Sequence, residues 1–294
     1  MYDKWQQIER MTAVGAAGFW RHIGCRGIPV IVEGAVPDWR PESQWSLDYL
    51  RRTVGHRMAR PDHGYFEETS GTLLPVAEIL DAIESGLPVE GSMHPYLRNV
   101  DVHRDLPELA PDLTPRLAYV RPNWLSCVLL KRHVPDGLVE FFVGGAGSAF
   151  PKLHVDTHGT HAFITQLKGR KRVVMAAPSE TAALVQAFGD PEKFDMDADP
   201  ATLERLNMVT AMLTPGDTLF IPSGWHHVAY MSELSISVST NVVNASNWPQ
   251  HLRAVTKHTE GLKKPLKVAA YLAIGVLLRM HDRIGASFLY RHYD

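Results

Sequence analysis

The stretch Leu153-His154-Val155-Asp156 decides the reading of this chain. In an extended backbone successive side chains point to opposite faces, so His154 and Asp156 share one face and Leu153 and Val155 the other. An imidazole and a carboxylate two residues apart, aimed the same way, make two-thirds of a metal site. Taken alone, a His-x-Asp at a strand end is also an ordinary surface pair. The third ligand is offered far downstream, in Ile221-Pro222-Ser223-Gly224-Trp225-His226-His227. Two imidazoles and one carboxylate on one face of an octahedral ion leave the opposite face open to other molecules.

Around these two segments, short β-rich runs recur between turns, at 125–130, 139–143, 153–156, 162–167, 172–176, 218–221 and 234–243. Short strands at such spacing predict a mainly β fold with flanking helices, a jelly-roll sandwich or barrel carrying its ligands at the mouth. Residues 179–188 and 200–206 read as helices between strands. Thr214-Pro215-Gly216-Asp217 is a turn feeding an apolar strand that delivers Trp225-His226-His227 at its far end, and alternation lets only one of the two histidines face inward. Upstream, residues 1–24 read as helix, 27–34 as a strand, Ser46 as the start of a capped helix, and 75–83 as a helix with Gly86 beyond its end. After Asn247 the pattern is helical again. The chain thus divides into a lead-in over 1–90, a core over 91–246 and C-terminal helices over 247–294.

The chain has 294 residues, of which 45% are hydrophobic and 21% charged, a globular balance with room for a sizeable core. A formal net charge of −2 gives no field to draw in nucleic acid or an anionic membrane, so neither is expected as a partner. Two cysteines, Cys25 and Cys127, and no N-terminal signal peptide point to the reducing cytoplasm without a disulfide. The longest apolar run, 268–278, is too short to span a bilayer and reads as a buried or interface helix. Gly144-Gly145-Ala146-Gly147 lacks the Gly-Lys-Ser/Thr ending of a phosphate loop and reads as a turn ahead of the metal strand.

Residues 96–241 resemble the JmjC-type, cupin-fold Fe(II)/2-oxoglutarate oxygenases, the family of protein hydroxylases and histone demethylases. The matching pieces, in family order, are Phe141-Phe142-Val143-Gly144, His154-Val155-Asp156, Gln166-Leu167-Lys168-Gly169-Arg170-Lys171-Arg172, Pro215-Gly216-Asp217 with Leu219-Phe220-Ile221-Pro222, and Gly224-Trp225-His226-His227-Val228. Gly27-Ile28-Pro29-Val30 with Trp39 and Trp45 resembles the lead-in of the smaller, hydroxylase-like members. The resemblance implies a double-stranded β-helix holding Fe(II) through His154, Asp156 and His227. The family places its third ligand five residues after a proline, which from Pro222 selects His227 over His226. It further implies Lys171 as counter-ion to the distal carboxylate of 2-oxoglutarate, with Tyr96, Ser239 and Asn241 joining it. His158 and His161, in a loop with the spacing of the lysyl-hydroxylase type, are rim or supporting residues. Pro151 stands where the family often has a threonine.

The activity implied is hydroxylation of a C–H bond with Fe(II), 2-oxoglutarate and O2, on an amino-acid side chain of a peptide or protein. A small-molecule hydroxylase and a metal-binding cupin without oxidation are the alternatives; Lys171 argues against the latter, which has no use for a 2-oxoglutarate counter-ion. The apolar C-terminal segment is a candidate homodimer surface.

Overall fold

The computed structural model of the chain describes residues 5–60, 72–87, 96–130, 138–150, 152–261, 263–285 and 288–290, so Pro151 lies outside the described residues. In chain order the lead-in runs through β1 (Gln6–Gln7), β2 (Arg10–Thr12), α1 (Ala16–His22), β3 (Val30–Glu33), α2 (Leu47–Val54), β4 (Met58–Ala59), β5 (Leu74–Pro75) and α3 (Val76–Ser85). Then follow β6 (Tyr96–Asp101), α4 (Val102–Asp105), β7 (Val139–Gly144), β8 (His161–Lys168) and β9 (Lys171–Ala176). After α5 (Thr181–Phe188) and α6 (Pro200–Glu204) come β10 (Met208–Leu213), β11 (Asp217–Ile221), β12 (His226–Met231) and β13 (Ser235–Val242). The chain closes with α7 (Trp248–Thr256) and α8 (Lys263–Arg283).

Two sheets form the jelly-roll core. One has seven strands in the order β2-β3-β11-β8-β13-β7-β6, the other four in the order β1-β10-β9-β12; β4 and β5 pair separately. Strand periodicity sorts the side chains of the large sheet. Phe141, Val143, Val238 and Leu167 face outward into an apolar layer with Leu50, Ile79 and Leu80 of α2 and α3. Their neighbours Glu140, Phe142, Ser237, Ser239 and Gln166 therefore face the small sheet: Ser237 is paired with both Phe142 and Gln166, and Ser239 with Glu140. Part of that interior is apolar, with Ile31, Ala162, Val173, Met175, Leu219 and Trp225 packed together. The site lies beside this cluster, among the inward polar residues.

Gly169 carries the chain from the large sheet to the small one. It sits at φ +66°, and a Cβ there would lie 1.8 Å from the Leu234 carbonyl oxygen, so only glycine fits. Asp217 ties the preceding turn: its carboxylate accepts from the Thr214 amide at 2.7 Å and from the Arg10 guanidinium at 2.5 Å. Ser46 caps α2 by accepting from the Tyr49 amide at 3.0 Å, as its place before a helical run predicts.

Four local expectations fail. The start of the chain is extended rather than helical: Gln6–Gln7 adds to the small sheet beside Val209 and Thr210, and Arg10–Thr12 to the large sheet beside Ile31 to Glu33. Burying Trp5 and Ile8 while closing two sheet edges outweighs the helical preference of a polar run. Residues 125–130 form no strand; Trp124–Ser126 is a 3-10 turn held by the Asn123 side chain, and its apolar residues pack under α7 and α8. Residues 153–156 make only a two-sided bridge, His154 with His227, with N···O distances of 3.0 and 2.8 Å. The histidine pair, placed by sequence at the far end of a strand, instead opens β12 after the turn at 222–225.

Candidate functional site

The His154–His227 bridge brings together segments more than seventy residues apart, and the site is built on it. The Nδ1 of His154 lies 3.2 Å from the Lys152 carbonyl oxygen and the Nδ1 of His227 3.2 Å from that of Trp225. A proton on each Nδ1 donates to that carbonyl and leaves Nε2 a free acceptor, the form a metal ligand requires. Both Nε2 atoms converge on Asp156 Oδ1, at 3.8 and 3.7 Å. One ligand atom from each of His154, Asp156 and His227 lies within 4.8 Å of the others.

The electrostatics fit a cation. Burial, then the neighbouring His227, push the His154 pKa well down, so its imidazole stays neutral. Burial pushes the Asp156 carboxyl up, and its Oδ2 has no hydrogen-bond partner. A carboxylate with an orphaned oxygen beside two histidine Nε2 atoms is completed by a divalent ion. Facial His-Asp-His donors with an open opposite side are the set used for non-haem Fe(II).

His226 turns the other way. Its Nε2 lies 2.9 Å from Thr181 Oγ1 on α5, so it anchors that helix to the small sheet. His161 is also occupied: Nδ1 accepts from the Ser223 amide and Nε2 meets Ser246 Oγ, both at 2.9 Å, and burial lowers its pKa to about 3. It pins the turn that carries His227. His158 is exposed at φ +57°, and its carbonyl accepts from His251 of α7 at 2.7 Å.

Across the interior, Lys171 is 3% exposed and its Nζ donates to Ser237 Oγ at 2.5 Å. The ammonium also lies 5.4 Å from the centre of the Phe142 ring, and Phe142 packs against Tyr96 with ring centres 6.4 Å apart. Burial lowers the Lys171 pKa to about 7. Gly144, opposite Tyr96, leaves room for that ring: a Cβ would come within 3.0 Å of it and 2.8 Å of Met231. The hydroxyl touching Lys171 thus belongs to Ser237, a residue missed from sequence because β13 carries inward polar side chains at 235, 237, 239 and 241 with nothing local to rank them. Ser239 and Asn241 lie further along the same face, toward Ala162 and the metal loop.

Two more groups face the interior. A bulge in β6 sets two residues, Arg98 and Asn99, opposite one on β7, with Asn99 at φ +55°. It turns Arg98 inward, 4.9 Å above the Phe150 ring, which itself stacks on His154. Glu140 is the other, a buried carboxyl beside Ser239.

Residues 16–246 match the family described as "Cupin-like domain". The chain is 30% identical over 225 residues to Lysine-specific demethylase 8 of Danio rerio, covering 72% of this chain and 52% of the relative. It is 24% identical over 255 residues to the Bifunctional arginine demethylase and lysyl-hydroxylase psr-1 of Caenorhabditis briggsae, with 78% and 60% covered. Against the 2-oxoglutarate and iron-dependent oxygenase JMJD4 of Mus musculus it is 26% identical over 183 residues, with 57% and 42% covered. The chain spans about half the length of these relatives. With a jelly roll, a His-Asp-His triad and this match over most of its residues, the chain belongs to the JmjC-type cupin-like domain family.

Proposed function

We propose that the protein is an Fe(II)- and 2-oxoglutarate-dependent oxygenase that hydroxylates a C–H bond in an amino-acid side chain of a peptide or protein. The observation that carries this reading is one interior holding both the convergent triad of His154, Asp156 and His227 and, apart from it, a buried lysine at Lys171. A metal-binding cupin has no need of the second. When bound, Fe(II) with 2-oxoglutarate and O2 supplies the oxidising power: 2-oxoglutarate loses CO2 to become succinate, and one oxygen atom enters the C–H bond.

The residues of the chain do the rest. The triad holds the ion by one face. Lys171, with Ser237 and Tyr96 beside it, receives the distal carboxylate of 2-oxoglutarate, while Ser239 and Asn241 continue the polar wall toward the ion. Phe142 and the apolar residues beyond exclude water from that pocket. Names of the relatives support protein side chains as acceptors: the psr-1 relative is called a lysyl-hydroxylase and arginine demethylase, and the Danio rerio relative a lysine-specific demethylase. The lead-in over 1–90 and the helices over 247–294 are proposed to shape the substrate groove and a homodimer surface. On α8, Leu266, Val276 and Met280 are 59–71% exposed on one side, a face suited to a second copy. Among the described residues no helix is long and apolar enough to cross a membrane, and the two free cysteines suit the cytoplasm.

The test is incubation with Fe(II), 2-oxoglutarate, ascorbate and a peptide library, reading succinate and peptide mass. Substrate-stimulated succinate with one oxygen atom added to a peptide supports the reading. Stimulation confined to small metabolites refutes the protein acceptor, and no iron-dependent turnover refutes the oxygenase.

A further inference from the structure

The metal ligand Asp156 opens a tight turn, and the shape of that turn is set from outside the sandwich. The turn, Thr157–Gly159, has two consecutive residues in the left-handed region, His158 at φ +57° and Gly159 at φ +63°. Among the described residues, Asn99 is the one other non-glycine in that region. Holding a side chain there costs about 1–3 kcal/mol, and the conformation persists only where the surroundings fix the backbone. Here α7 fixes it. His251 of α7 is 4% exposed, and its Nδ1 lies 2.7 Å from the His158 carbonyl oxygen. A carbonyl only accepts, so Nδ1 carries the proton and donates. Asn247, fully buried at the start of the helix, donates from Nδ2 to the Gly159 carbonyl at 3.0 Å. Gly159 rests directly on the helix: a Cβ there would lie 2.6 Å from the Gln250 carbonyl carbon and 2.7 Å from the His251 amide nitrogen, backbone atoms that cannot move aside.

This clamp is braced from behind. The His251 ring stacks on Trp248 with centres 5.3 Å apart, and Trp248 on Tyr271 of α8 at 5.7 Å. Trp248 in turn fills the space left by Gly275 of α8, where a Cβ would come 2.3 Å from the indole Nε1. Burial lowers the His251 pKa to about 4, so the ring is neutral. The same segment reaches the other arm of the triad. Ser246 Oγ meets His161 Nε2, and His161 Nδ1 accepts from the Ser223 amide, in the turn before His227. Docking α7 alone needs none of this, because Trp248 already packs with Trp124, Val243 and Leu278. The polar contacts fall instead on the two carbonyls that follow Asp156 and Thr157.

We propose that His251, with Asn247, is a positioning residue of the metal centre: it holds His158 and Gly159 in their left-handed conformation and so keeps the Asp156 carboxylate aimed at the Nε2 atoms of His154 and His227. This rests on the triad of the oxygenase reading and extends it to a helix outside the jelly roll. Without the His251 donor the peptide at 158 relaxes to an ordinary conformation, and Asp156, two residues before it, turns with it. The ion must then order the carboxylate itself, so affinity falls while the rest of the fold stands.

The test sets Mn(II) affinity, read from the free-ion signal in electron paramagnetic resonance, beside thermal melting of each variant. His251→Phe keeps a stacked ring and removes the donor. It should raise the Mn(II) Kd at least about tenfold, the scale of losing a group that supports a metal ligand, and change the spectrum of the bound ion. His251→Asn, whose amide puts a donor near the place of Nδ1, should bind within about threefold of the wild type. Gly159→Ala drives a methyl group into the α7 backbone, attacks the same contact from the loop side, and should weaken Mn(II) as His251→Phe does; it decides the matter should His251→Phe not fold. Leu278→Ala is the control: it removes about 2–5 kcal/mol of packing from the same C-terminal cluster and should keep the Mn(II) Kd within about threefold. Three results overturn the role of His251 and leave the triad standing: wild-type affinity in folded His251→Phe or Gly159→Ala, an equal loss in Leu278→Ala, or a loss in His251→Asn as deep as in His251→Phe. Absent saturable Mn(II) binding by the wild type sinks the triad, and the positioning role with it.

Discussion

Replacing Lys171 by methionine should make the empty protein more stable and its co-substrate binding much weaker. Holding an ammonium whose pKa has fallen from 10.5 to about 7 costs about 5 kcal/mol relative to the unfolded chain at neutral pH. Methionine fills a similar unbranched volume without that cost. The change forfeits the hydrogen bond to Ser237 and the contact over Phe142, worth about 1 kcal/mol each. The net is about 2–3 kcal/mol in favour of the variant, or roughly 5–10 °C in Tm for a domain of this size. The gap should be widest at and below pH 7. It should close toward pH 10.5, because in that window the unfolded lysine holds a proton that the folded one has released. Binding moves the opposite way. Leaving the distal carboxylate of 2-oxoglutarate buried without its cation costs about 3–5 kcal/mol, a rise in Kd of at least a hundredfold. Urea melts of the metal-free protein and calorimetric titration of 2-oxoglutarate in the presence of Mn(II) measure the two effects. A variant that is less stable when empty, or that binds 2-oxoglutarate within threefold of the wild type, refutes Lys171 as counter-ion and makes Arg98 the next residue to test.

Other outcomes follow from the same geometry. His154→Ala, Asp156→Ala and His227→Ala should each abolish stoichiometric Mn(II) binding, while His226→Ala should retain it and lose about 1 kcal/mol of stability with the Thr181 contact; electron paramagnetic resonance of bound Mn(II) decides, and a dead His226 variant beside a binding His227 variant inverts the assignment. For the wild type, 2-oxoglutarate affinity should be flat below about pH 7 and fall by up to tenfold per pH unit above it, because only the protonated Lys171 pairs with the carboxylate; affinity that rises with pH contradicts the pairing. Gly144→Ala forces a methyl group against the Tyr96 ring and Met231, and should cost about 1–3 kcal/mol and weaken 2-oxoglutarate binding, read by melting and titration. Val276→Glu with Met280→Glu should halve the mass measured by light scattering if α8 joins two copies; an unchanged monomer mass in both proteins removes the dimer.

The sequence by itself determined the family and the β-rich core, and it pointed to His154, Asp156 and His227, whose ligand atoms the fold brings within 4.8 Å of one another. His154 and Asp156 are legible because ligands two residues apart need only a locally extended chain, and His227 because a proline-anchored turn sets its distance from Pro222. Lys171 is legible for the same reason, sitting next to the glycine corner that only one residue type can make. Tertiary structure alone decided everything that depends on pairing across the sandwich. Residues 6–12 are extended because two sheet edges, at Val209 and Ile31, offer partners that the local pattern does not reveal. Ser237 rather than Ser239 touches Lys171 because strand register and the distance between sheets select among four equivalent inward positions. Glu140 and Arg98 reach the interior through a register and a bulge that no short stretch encodes. Local sequence dictates what lies one or two residues apart along a strand; which strands meet, and in what register, is set by the burial of both sheet faces at once.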